Sequence, residues 1–161
     1  LDVESDTEFR DPDGKPQGQY KRYKVSGAVD GIQAVRHSLF SRNFLGAPLA
    51  NTFRKTAYEK LGGFDPRYHY IVDYDFFIKL ALAGKIYIIH EPLNYFRIRN
   101  DSNTGEVLGG DKGAIYQAEH RKLVEKFQSE LGFSDFQVNL SVFIRGIMNK
   151  LGNLYLKVHL K

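Results

Sequence analysis

The sequence predicts an α/β domain, and three observations carry that prediction. Phe76, Phe77, Leu80 and Ala81 fall on one face of a helical run. The β-branched and aromatic run Ile86-Tyr87-Ile88-Ile89 follows directly as a buried strand. Two long stretches of helical periodicity then close the chain. At 161 residues, 42% hydrophobic and 14% aromatic, the chain suits one domain with a core of its own and excludes disorder.

Taken in order, Leu1 to Tyr23 is polar and centred on a turn at Asp11-Pro12-Asp13-Gly14-Lys15-Pro16. Asp11 and Asp13 form a literal Asp-x-Asp, but the neighbouring Pro and Gly explain both as turn residues rather than metal ligands. Ser26 to Arg42 has weak helical spacing through Val29, Ile32 and Val35, and Gly46 to Phe53 reads as a short strand. Thr56-Ala57-Tyr58-Glu59 has the form of a capping box, opening a short helix that Gly62-Gly63 ends. Asp73 or its neighbour is expected to cap the next helix, which stops at Gly84.

Ile86–Ile89 and Leu93–Ile98 are expected as two strands divided by Pro92, and Asn100 to Gly113 as a long loop. Ala114 to Leu131 reads as a helix with Ile115, Ala118, Leu123 and Phe127 on one face, ended by Gly132. Phe136 to Lys161 reads as a second helix. Its apolar stripe includes Leu140, Phe143, Ile144, Ile147, Leu151 and Leu154, with Arg145, Lys150, Lys157 and Lys161 among them. Two fates are open to that stripe: packing on its own domain, or docking on a membrane surface where the cations meet anionic lipid heads.

Composition narrows the chemistry. A net charge of +4 and a pI near 9.2 give a mildly basic surface, too weak to choose a partner class. With no cysteine, a disulfide scaffold, a thiolate nucleophile and a cysteine-ligated zinc are excluded. The five histidines lack metal-ligand spacing, and there is no Gly-x-Gly-x-x-Gly, Walker loop or Gly-x-Ser-x-Gly. Tyr20, Lys21, Arg22, Tyr23 and Lys24 interleave aromatic and basic residues, but no nucleic-acid motif accompanies them, so nucleic acid is not expected as a partner.

Asp73 and Asp75 open the α-helical run. Two residues apart, they point in different directions and cannot act as an acid and base pair. They read either as first-turn acids favoured by the helix dipole or as one stabilising acid beside one general base. Arg97 and Arg99 share a strand face, which suits either a solvated edge or a phosphate clamp.

Read together, Asn51 to Ser102 resembles the C-terminal part of the inverting family-2 glycosyltransferases of the GT-A fold. The matching residues are Gly63-Phe64-Asp65, the acidic run Asp73-Tyr74-Asp75-Phe76-Phe77-Ile78-Lys79-Leu80, Gly84, Pro92-Leu93 and Tyr95-Phe96-Arg97-Ile98-Arg99. Asp2 to Gly14 is similar to the stretch that follows the nucleotide-binding half of that family. Three positions depart from it: Val72 replaces a Glu, Lys79 an Arg, and Arg99 stands where the family often has a His able to join a metal shell.

The resemblance implies a partial GT-A fold: residues 1–111 the acceptor-side half of the transferase domain, and 112–161 a helical extension. It implies Asp73 as general base, with Asp75, Arg97 and Arg99 contacting substrate. The expected partners are a nucleotide-diphospho-sugar donor and a carbohydrate or lipid-linked acceptor. A divalent metal (Mg or Mn) is expected in the intact enzyme, on ligands mostly upstream of Leu1, so this segment alone is expected to be inactive. The expected location is cytoplasmic, with peripheral contact at the inner face of the membrane left open. The rival expectation is a non-catalytic module that holds a sugar or a protein partner.

Overall fold

A computed structural model describes residues 2–21, 26–41, 43–45, 47–97 and 112–159, with the backbone alone at 153 and 155–159. Within them the chain is α/β, a mixed sheet carrying helices. The central strand is β1, Asp2–Arg10, and it lies in the stretch expected to be only polar and turn-forming. Its Asp2, Glu4, Ser5, Asp6 and Thr7 are all buried. The strand goes unrecognised in sequence because its interior positions hold polar groups, and β5 supplies partners for Ser5 and Asp6. Asn94 Nδ2 donates to Ser5 Oγ at 2.8 Å and to the Asp6 carbonyl at 3.1 Å, and His90 Nδ1 lies 3.4 Å from the Asp6 carboxylate.

β1 turns back into β2 (Pro16–Tyr20) as an antiparallel hairpin. The expected turn joins them. Asp11 accepts the Lys15 amide at 2.8 Å and the Gln17 side-chain amide at 3.0 Å, so it is held as a turn residue. The region expected to be helical from Ser26 instead begins with β3, Gly27–Asp30, and becomes helix α1 only at Gly31–Leu39. Asp30 makes the switch: its carboxylate accepts the Gln33 amide at 3.0 Å and caps α1.

A 3₁₀ turn at Pro48–Ala50 leads into β4, Asn51–Phe53, a three-residue version of the expected short strand. Helix α2, Lys55–Lys60, starts one residue before Thr56, with Arg54 at its cap and no capping side chain. The capping-box expectation therefore fails; Glu59 instead lies 3.7 Å from Lys55 Nζ on the exposed helix surface. Helix α3 is Val72–Leu82, and β5, Lys85–Arg97, follows. The two strands expected around Pro92 are one. Pairing with β1 jumps from Ser5–Ile89 to Asp6–Pro92, and that irregularity accommodates a residue with no N–H to give.

The sheet order is β2-β1-β5-β3. β5 runs parallel to β1 along its whole length, while β4 and β2 share the other edge of β1, at its start and its end. β3 is antiparallel to the first residues of β5. The C-terminal residues form α4 (Gly113–Lys126), α5 (Gln128–Leu131) and α6 (Asp135–His159). The expected single helix to Leu131 breaks at Phe127, and Gly132, at φ 61°, ends α5. Ile115, expected to face the core, is exposed. Leu123, Val124, Phe127, Leu131 and Val138 join the same core as α1, α3 and Ile86 and Ile88 of β5, so the helices at 112–159 complete the core of the sheet. No helix among the described residues is long and apolar enough to cross a membrane.

Candidate active site

The candidate site is the first turn of α3 and the loop leading into it. That loop is held from its start. Gly62 and Gly63 take φ 77° and 62°, and Gly63 donates its amide to the Tyr58 carbonyl at 3.0 Å, closing α2. A Cβ at Gly63 would sit 2.5 Å from the Tyr58 ring, so the position needs glycine for space as well as for backbone. Phe64 then packs edge-on against both Tyr58 and Phe76, tying the loop to α3.

Asp65 receives the Arg67 amide at 3.1 Å and the Arg67 guanidinium at 2.7 and 2.9 Å. These bonds hold its carboxyl well below the usual carboxylate range, despite some opposing desolvation. Further along, the Glu119 carboxylate of α4 accepts the amides of His69 at 2.7 Å and Tyr70 at 2.9 Å. The loop is thereby fastened on one side by its own Asp65–Arg67 pair and on the other by α4. Ile71, fully buried, occupies the cap position of α3, so Asp73 is the second residue of the helix and not its cap.

Tyr74 and Asp75 anchor this turn. The Tyr74 hydroxyl shares a 2.9 Å hydrogen bond with Ser38 of α1, its ring lies beside His120, and Arg145 sits over it at 6.0 Å. Asp75 is wholly inaccessible. Lys126 Nζ of α4 donates to its Oδ1 at 2.5 Å, and Lys79 Nζ lies 2.9 Å from its Oδ2 as a charge contact rather than an aligned hydrogen bond. Lys126 also reaches within 3.7 Å of Asp65, and Lys79 donates to the Gly63 carbonyl at 3.2 Å. Asp75 was expected to contact substrate; the structure instead gives it no face open to a ligand and makes it the centre of an ionic staple.

Asp73 differs in every respect. It is half-buried, its Oδ1 accepts the Tyr74 amide at 2.8 Å, and among the described residues no cation pairs with it. Burial pushes its carboxyl above the ordinary range, with the Tyr74 amide opposing. The phenol of Tyr116 on α4 is raised by burial, and the Asp73 charge adds to that rise while Arg145 opposes it. Asp73 and Tyr116 thus face a common neighbourhood.

Arg97 stands apart. It is exposed at the end of β5, opposite Arg10 in the pairing. α3 folds back along β5 from the Ala83-Gly84 link, and about 16 Å of helix against about 43 Å of strand leaves Arg97 well beyond Asp73. No hydrogen bond or ion pair joins the two among the described residues. Arg99 and the loop from Asn100 lie outside the described residues. Lys126 and Glu119 were not anticipated as parts of this site. They lie seven residues apart, on one face of α4, which is a visible charge pattern without any motif to point at α3.

Among the described residues no group of three His, Asp or Glu side chains could hold a metal ion. No family model, curated protein or solved structure matches the chain.

Proposed function

We propose that the chain is the acceptor-side half of an inverting GT-A glycosyltransferase, with Asp73 as its general base. The observation that carries this reading is the asymmetry of the first turn of α3. Asp75 is neutralised by two lysines, whereas Asp73 has no cation partner among the described residues and a carboxyl raised by burial. A carboxylate whose proton affinity is raised toward the working pH is the better base. In the proposed step the Asp73 carboxylate takes the proton of an acceptor hydroxyl while that oxygen bonds to the anomeric carbon of the donor sugar. The bond from that carbon to the nucleoside diphosphate breaks, and the diphosphate leaves with the electron pair. A single displacement of this kind inverts the anomeric centre.

The side chains of the described residues do not assemble a donor set for a divalent metal. Neutralising the leaving group falls to residues upstream of this segment, since Arg97 lies well beyond Asp73 along β5. The test is calorimetry with nucleotide-diphospho-sugars, followed by a transfer assay, on this chain and on a chain extended upstream. The expected result is donor binding and transfer by the extended chain only. Sugar binding with no turnover in the extended chain would favour a binding module instead, and transfer by the 161-residue chain alone would overturn the half-domain reading.

A further inference from the structure

We infer that α6 and the groove beside it form a docking surface for an anionic phospholipid bilayer. The inference does not depend on sugar transfer. One side of α6 is spent on the fold: Val138 and Val142 enter the interior, Ser141 donates to the Leu39 carbonyl at 2.9 Å, and Arg145 donates to the Ser38 carbonyl at 3.0 Å. Arg145 is thus buried, although sequence places it among the surface cations. The opposite side is left apolar and open. Phe136, Phe143, Ile147, Leu151 and Leu154 are 73, 65, 42, 56 and 61% exposed. Their spacing of seven, four, four and three residues sets them in one row, about 27 Å long at helical rise. Scattered exposed apolar residues are ordinary; a continuous row of five is an interaction surface.

Charge identifies the occupant. From Phe136 to Lys161 the sequence has no acidic residue, while Lys150, Lys157 and Lys161 make this stretch basic in addition to Arg145. Between α4 and α6 lies a groove of about 330 Å³, lined by apolar Val142, Phe143 and Ile147 and by the cations Arg121 and Lys150. Arg121 is shared with Asn139 at 3.1 Å and Glu125 at 3.6 Å, while Lys150 is exposed and has no ion-pair partner among the described residues. Cations edging an apolar row match a layered surface, in which ammonium and guanidinium groups stay with phosphate headgroups and the row enters the acyl boundary.

A second copy of the chain fits less well. A dry helix–helix seam would set Lys150 against Lys150 in parallel pairing, or against Leu140 in an antiparallel one. In either arrangement an ammonium is buried without an acid.

The test is co-sedimentation with phosphatidylcholine vesicles, with and without phosphatidylglycerol, at low and moderate salt. The expected result is pelleting that requires the anionic lipid and weakens with salt. Arg121→Glu with Lys150→Glu should lower binding by roughly tenfold or more. Phe143→Ser with Ile147→Ser should abolish it at every lipid composition. Circular dichroism and melting should remain as in the wild type, because all four side chains are at the surface. Equal pelleting with neutral and anionic vesicles, or none, would overturn the inference. So would a concentration-dependent dimer in sedimentation equilibrium that the Phe143→Ser, Ile147→Ser protein loses.

Discussion

Asp73 and Asp75 sit two residues apart on one helix, and the regions they face have opposite characters. On the Asp75 side, the loop at Gly63–Asp65, the helix α3 and the distant helix α4 are drawn together by Lys79 and Lys126. On the Asp73 side there is a half-buried carboxylate, the Tyr116 phenol and, among the described residues, no cation in contact. The same residue type serves as a fastener where two amines accompany it into the interior. It keeps a raised proton affinity where burial comes with one backbone amide and, among the described residues, no cation. The difference lies in the neighbours that tertiary packing supplies.

The largest expected effect breaks the Asp73 side. In a chain extended upstream to an active enzyme, Asp73→Asn should cut turnover by about 10²–10⁴-fold with an unchanged melting curve. Turnover within a few-fold of the wild type would remove the base assignment. On the other side, Asp75→Ala should leave turnover secondary and stability primary. It strips the acid from two lysines that are mostly covered, at a cost of about 3 kcal/mol in denaturant unfolding. A variant as stable as the wild type would mean that the staple carries no net stability.

A third test concerns His120, which packs beside Tyr74 between these regions. Burial, reinforced by Arg145, pushes its imidazole down to about 3 from an ordinary 6.5. Between those values the unfolded chain holds a proton that the folded chain refuses. Stability from a neutral His120 is therefore complete above about 6.5 and is lost as pH falls toward 3, by ~1.4 kcal/mol per pH unit. The wild type minus His120→Gln difference in unfolding free energy should show that slope, and a flat difference would refute it. The smallest effect is expected from Arg67→Ala. Arg67 is 83% exposed, so its pair with Asp65 should contribute little to stability, and less still in salt. A larger loss would show that Asp65 depends on Arg67 more than on Lys126.

Much of the frame can be read from the residues. The apolar face of α3, the strand at Ile86–Ile89, the glycine stop at Gly62-Gly63 and the two C-terminal helical stretches follow from periodicity and turn chemistry. Those are local signals; α3 and the strand bury the residues their patterns mark, whereas Ile115 of α4 and much of the apolar stripe of α6 stay exposed. The neighbourhood of Asp73 could be located in the same way, since two acids opening a helix are visible in the sequence itself.

What tertiary structure alone decided has a common cause. β1 is central although Asp2, Glu4, Ser5, Asp6 and Thr7 are polar: Asn94, some ninety residues away, bonds Ser5 and the Asp6 carbonyl, whereas the Asp2 carboxyl is buried with no hydrogen-bond partner among the described residues and is pushed up to about 7. The burial of Asp75 depends on Lys126, and the order of the loop before α3 depends on Glu119, both from α4, some fifty residues along the chain. Pattern reading assigns burial from the polarity of the residue itself. Asp75 and Ser5 become interior with partners distant in sequence, and no short window along the chain contains both members of either pair.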